Sequence, residues 1–234
     1  MGFTSGWGNM ETSFKDRYVK SYWNYYLSLE KRLIRTEEYV AFDEVNSGTY
    51  SIEYLALLQA TCSEVDVTAK AIDMHHNPSF AANGAGIKKW GYELQRHLPG
   101  ITEQKVMFLK ERELTPWANW TIEQRTNRRS QLFYTYAEHC GSPTWWNAYN
   151  RVKHARTTVC ESGVNYHLAN QENVINALAA LYVLHRLMLI SLDEDAYALI
   201  DRSKLFSISG RNDEIRVTTF FDSTGRMALA YEDD

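Results

Sequence analysis

Between Ser142 and Arg156 the chain reads Ser-Pro-Thr-Trp-Trp-Asn-Ala-Tyr-Asn-Arg-Val-Lys-His-Ala-Arg, its densest run of side chains able to do chemistry. Asn147, Asn150, Arg151 and His154 are offset by three, four and seven residues, which stacks them in one stripe of a helix. Lys153 and Arg156 flank that stripe. A histidine titrates near neutrality and can take or give a proton. An Asn amide and three cations can hold a phosphodiester and the charge that develops on it. The combination points to phosphodiester chemistry. A surface helix ordinarily carries a polar face with no chemistry on it, so the same stripe also reads as a solvated face.

The stripe needs a helix to position it. Ser142 is the expected N-cap and Pro143 the first helical residue, where a missing N–H costs nothing. Trp145, Tyr149, Val152 and Val159 recur at helical spacing and predict an apolar inner face.

Around this helix the periodicity predicts a mainly α chain. A first helix spans about 11–40, carried by Phe14, Tyr18, Tyr22, Tyr25, Leu29 and Leu33. Asn46-Ser47-Gly48 breaks the chain, and a second long helix covers about 50–75, ended by Asn77-Pro78. A shorter one runs from Gly86 to His97 and stops at Pro99-Gly100. Residues 100–140 read as an irregular, partly extended excursion. Within it Val106–Leu109 is a short strand, Pro116-Trp117 a turn, and Thr126–Ser130 a polar loop. Asn170 caps a helix to about Leu192 that is apolar nearly all round, which makes it a buried central element or a membrane span. The His185-Arg186 pair interrupts it, so a buried helix is expected and no membrane association. The domain division is a helical body over 1–203 and a small β-hairpin tail over 204–234. In that tail Lys204–Ser209 turns back through Gly210–Asp213 onto Ile215–Phe220, and Ser223–Gly225 makes a second turn before Met227–Tyr231. A lone hairpin is marginal in water, so the tail must pack on the helical body or on a second subunit; the domain division takes the body.

Bulk properties narrow the partners. The chain has 234 residues and a net charge of −4, which excludes a strongly basic nucleic-acid coat. Any nucleic-acid contact must come from local patches such as Arg125/Arg128/Arg129 or Arg151/Lys153/Arg156. The 7 Trp, 15 Tyr and 9 Phe are expected mostly in core and interface. Three cysteines without paired spacing announce neither a disulfide scaffold nor a zinc site, and Cys62 reads as a small core residue. No signal peptide opens the chain, and a cytoplasmic location is the default.

Other signals are weaker. Asp73 with His75-His76 lacks a metal-ligand spacing and reads as a helix-terminal pair. Gly84-Ala85-Gly86 before Lys88-Lys89 lacks the phosphate-loop spacing. His185 reads as a satisfied core histidine. No GxSxG elbow or cysteine nucleophile motif is present. No cofactor or metal is expected.

Three blocks carry a family resemblance: Thr49–Leu58 with Cys62–Asp66; Trp145-Trp146-x2-Tyr149-Asn150-x2-Lys153-His154-x-Arg156; and Ala169-Asn170-x2-Asn173-Val174-x-Asn176–Leu181. In this order they resemble bacterial HEPN-type domains, all-α bundles found in toxins, abortive-infection proteins and RNA-processing effectors. The resemblance implies a metal-independent ribonuclease or toxin-type effector in stress or phage defence. It also implies a homodimer, with RNA and an antitoxin or defence-system component as partners. The family's usual motif is an Arg, a polar residue, and a His four to six residues further on, often with an acid from another helix. Here Arg151 and His154 have only two residues between them, and Asn150 is the nearest helical neighbour of His154. The catalytic set implied is His154, Asn150, Arg151, Lys153 and Arg156, with Glu64 or Asp66 as the acid that orients His154 or Arg156. The alternative is a catalytically inactive HEPN-like module that binds a protein partner or nucleic acid.

Overall fold

The computed structural model describes residues 13–127, 134–160, 163–192, 199, 202–208, 217–221 and 227–231. The chain is mainly α-helical, with small antiparallel strand pairs against the helices. The first helical segment is divided: α1 (Phe14–Tyr18) runs into a π-helical turn (Val19–Trp23) and then α2 (Asn24–Thr36). The sequence pattern reads this as one uniform helix. The wider turn re-phases the aromatic residues so that Tyr18, Trp23 and Tyr26 are all buried.

Helix α3 (Ile52–His76) starts where Ser51 accepts a hydrogen bond from the Tyr54 amide at 3.0 Å. A short loop then leads to α4 (Ile87–His97). Two short strands follow, β1 (Val106–Phe108) and β2 (Arg112–Leu114), joined by a tight turn. Both central residues of that turn, Leu109 and Lys110, have positive φ, 51° and 63°. The turn runs from Phe108 to Glu111, whose amide donates to the Phe108 carbonyl at 3.0 Å, inside a three-residue connection, and neither positive-φ residue is the Gly or Asn usual there.

The pair β3 (Ile122–Asn127) and β4 (Tyr134–Cys140) makes a second hairpin. Thr126 and Asn127 therefore lie in a strand and not in the expected polar loop; Arg128–Ser130 lie outside the described residues. The turn at Pro116-Trp117 is present, and Trp117 and Trp120 beside it are buried. Helix α5 (Thr144–Ala155) is followed by two short strands, β5 (Val159–Cys160) and β6 (Gly163–Val164), which pair with each other.

Helix α6 (Gln171–Leu192) is capped as expected, with Asn170 Oδ1 accepting from the Asn173 amide at 3.0 Å. It is long and apolar enough to cross a membrane, but 89% of its most apolar stretch is buried inside the protein. It packs along α3, and Leu57, Leu58, Val65 and Ile72 meet its apolar surface in the core. Burying this much aliphatic surface, at roughly 25 cal/mol per Å², is the main force holding the bundle.

The C-terminal strands differ from the expected pairing. Among the described residues strand β7 (Phe206–Ile208) does not pair with Val217–Phe220; it adds antiparallel to β1, with Val106 opposite Ile208 and Phe108 opposite Phe206. The order of that sheet is β2-β1-β7. The hairpin that forms is β8 (Val217–Phe221) with β9 (Met227–Tyr231), across the second predicted turn. Buried Leu205 and Phe206 account for the change, because their apolar side chains join the main core. Glu30 of α2 reinforces it by accepting from the Lys204 and Leu205 amides at 3.0 and 3.2 Å.

Candidate functional site

Helix α5 is held by its tryptophans. Trp145, Trp146, Ala148, Tyr149 and Val152 are buried, as the spacing predicts. The Trp145 indole donates to the Pro116 carbonyl at 2.7 Å, and its ring meets Trp117 edge-on at 5.3 Å. Trp146 meets Trp90 of α4 edge-on at 5.6 Å. Val159 is not part of this face: it lies beyond the helix in β5 and is exposed. The start also differs by one residue. Pro143 is the N-cap in an extended conformation, with no side-chain cap, and the Ser142 carbonyl instead accepts from Asn147 Nδ2 at 3.0 Å.

The outer face carries the stripe. Asn147, Arg151, Lys153, His154 and Arg156 are exposed, and Asn150 is partly so. The Lys153 ammonium lies over the Tyr149 ring, 5.3 Å from its centroid, a cation–π contact that orients an otherwise exposed side chain. Among the described residues His154 has no hydrogen-bond or ion-pair partner, so both ring nitrogens are open to a ligand. The end of the helix is closed from outside: Asn165 Nδ2 donates to the Ala155 carbonyl at 2.8 Å and the Tyr166 amide to the Arg156 carbonyl at 3.0 Å. These bonds satisfy carbonyls that a helix end otherwise leaves unpaired.

The two acids of the predicted set are engaged with other partners. Glu64 is nearly buried beside Thr68, with Tyr18 and Tyr22 near it, and burial raises its pKa. Asp66 accepts from Lys70 Nζ at 2.6 Å and from the Trp90 indole at 2.8 Å. The structure thus groups Asn150, Arg151, Lys153, His154 and Arg156 on one helix and commits Glu64 and Asp66 elsewhere. His185 likewise faces α1 and α2, with Nδ1 3.0 Å from the Tyr18 hydroxyl and its ring among Tyr18, Trp23 and Tyr26. It is a core histidine satisfied on one side only, since its Nε2 is buried without a partner. Burial pushes its pKa down to about 3. Cys62 is buried, and burial raises its thiol pKa.

At the seam of α3 and α4 Asp73 and His76, read from the sequence as part of a helix-terminal group, meet Glu93 and His97, which the sequence reading did not single out. His76 and His97 stack at 4.9 Å, and His97 Nε2 is 3.7 Å from a Glu93 oxygen. Asp73 is fully buried with both carboxylate oxygens unpartnered. Burial, reinforced by the Glu93 charge, pushes Asp73 up to about 9. Burial, with His97 and His75 adding to it, takes His76 down to about 4. The signal in the sequence is an Asp and a His three apart on one helix, and a Glu and a His four apart on the next. It becomes legible only once the two helices are known to pack. Among the described residues no three His, Cys, Asp or Glu side chains are placed to hold a metal ion.

Comparison of the chain with protein-family models, curated proteins and solved structures gives no match.

Proposed function

We propose that this chain is a HEPN-like, RNA-engaging module of bacterial stress or phage defence, and that the outer face of α5 is its phosphodiester site. One observation carries the reading: an exposed His154 without a partner among the described residues, within three residues of Arg151, Lys153 and the C-cap Arg156, on a helix locked by two tryptophans. The cations would position the RNA backbone, and their loss would reduce the salt dependence of binding. His154 would act as acid or base at the 2′-hydroxyl or the leaving oxygen, in a metal-independent ribonuclease. A homodimer, which is the family's habit, would let a second copy complete the site that Glu64 and Asp66 do not reach. We place the protein in the cytoplasm.

The engaged state of Glu64 and Asp66 favours a second reading: a catalytically inactive module that binds RNA, or an antitoxin or other defence-system partner, through the same face. The purified protein, incubated with single-stranded and structured RNA in EDTA, separates the two. Cleavage that His154→Ala abolishes, with helical circular dichroism intact, supports the ribonuclease; a loss of about 100- to 10,000-fold is expected for one positioned acid–base group. Binding without cleavage across a broad RNA panel replaces it with the binding module. Absence of both, together with light scattering at the single-chain mass of 27.1 kDa, removes the reading altogether.

A further inference from the structure

Beside the closed end of α5 stands a second built feature. Tyr50 and His167 stack at 4.2 Å with 25° between their planes, and Tyr166 meets Tyr50 edge-on at 5.4 Å. Tyr50 is 43% exposed, and His167 and Tyr166 are both partly exposed. The group is held by backbone. Tyr50 forms a bridge with Asn170 at the start of α6, and the Gln171 amide donates to the Thr49 carbonyl at 2.9 Å. Gly163, at φ +103°, holds a backbone conformation that favours glycine, and a Cβ there would crowd His167 Nδ1 at 3.1 Å. Through the Tyr166 amide and the Arg156 carbonyl, 3.0 Å apart, the aromatic group is joined directly to the cationic end of the stripe.

We propose that Tyr50 and His167 form a nucleobase-stacking platform that makes the α5 face selective for single-stranded RNA. The inference rests on the RNA reading above and adds the substrate class to it. A pre-stacked, half-exposed ring pair offers a flat π-face to one splayed base, while Lys153, Arg156 and His154 take the adjoining backbone. Phosphate contacts alone would not distinguish strand number, whereas a base paired in a duplex cannot reach a ring outside it. The chain's net charge of −4 leaves RNA binding to local cationic patches, of which the end of α5 is one.

Fluorescence anisotropy on a single-stranded 12-mer RNA, with the same sequence as duplex in parallel, tests the platform. Tyr50→Ala and His167→Ala are each expected to weaken single-strand binding by about 5- to 150-fold, the range for one base stack, with the salt slope unchanged. Tyr50→Phe is expected to bind like the wild type, and 2-aminopurine placed in the RNA should change its emission with wild type and not with Tyr50→Ala. If Tyr50→Ala loses helical circular dichroism, Tyr50→Leu, which keeps the bulk, serves instead. Wild-type affinity in folded Tyr50 and His167 variants overturns the platform alone, as does equal affinity for duplex. No RNA binding by the wild type overturns the RNA reading and the platform together.

Discussion

The Trp90 indole donates to one oxygen of Asp66 at 2.8 Å while the Lys70 ammonium holds the other at 2.6 Å. A carboxylate four residues before a lysine looks like surface decoration worth a few tenths of a kcal/mol. Here it instead fastens α4 to α3. Because Trp90 also meets Trp146, the seating of α5 depends on a group that never touches its outer face.

Asp66→Ala should therefore cost about 1–3 kcal/mol of stability, the penalty for leaving a buried indole N–H unpaired. Urea unfolding measures the loss. RNA affinity and any RNA cleavage rate of the folded fraction should stay within about twofold of wild type, whereas a catalytic or orienting role for Asp66 would lower the rate.

Glu30 is the second buried anchor. It accepts from the Tyr26 hydroxyl at 2.9 Å, from Ser203 Oγ and from two backbone amides before β7. Glu30→Ala strands these donors together, and a loss of about 3 kcal/mol or more is expected. Limited proteolysis should then cut near residues 203–208 before the helical body is attacked.

Stability should peak near pH 6.5 and fall on both sides. His76 and His185 hold native pKa values of about 4 and 3, below the unfolded value, and His97 is also lowered by burial. Their contribution is present above about pH 6.5 and is lost as the pH falls toward 4, because the unfolded chain binds the protons. Asp73 has the opposite sign. Its native pKa of about 9 means the folded state keeps a proton that the unfolded state releases above about pH 4. Stability is lost as the pH rises toward 9. Asp73→Asn should remove the alkaline fall and steepen the acid limb, where Asp73 no longer opposes the histidines, as read from denaturant midpoints between pH 4 and 9.

Lys110→Gly should stabilise the protein. Lys110 sits at φ 63° in the β1–β2 turn, where a Cβ costs about 1–2 kcal/mol that glycine avoids, partly offset by glycine's greater chain entropy. A net gain of about 0.5–1 kcal/mol would raise the melting temperature by about 1–4 °C. An unchanged or lower melting temperature would show that the turn is not strained.

The helices were legible because their signals are local. Asn170 caps as its type predicts, and the buried residues of α5 follow the helical period. What escaped was set by partners distant in the chain. No local pattern tells that Phe206 pairs beside Phe108, or that Leu109-Lys110 turns without glycine. The π-helical turn is hidden for a related reason: tyrosines at spacings of three and four suit either helix width, and the burial of Trp23 beside His185 selects the wider one. Of the candidate site, the α5 residues share one helix and could be aligned by spacing. Glu64 and Asp66 are on another helix, so their direction depended on packing that no spacing encodes.

Strand β7 closes a sheet that opens about a hundred residues earlier in the chain, and the residues just before it satisfy Glu30 from α2. Synthesis runs in the other order. A ribosome adding about 5–20 residues per second releases α2 and the β1–β2 hairpin many seconds before residues 203–208 exist. Through that interval β1 offers a bare edge and Glu30 lacks its amide donors, so the helical body emerges unlatched and is fastened by a segment made long after the parts it joins.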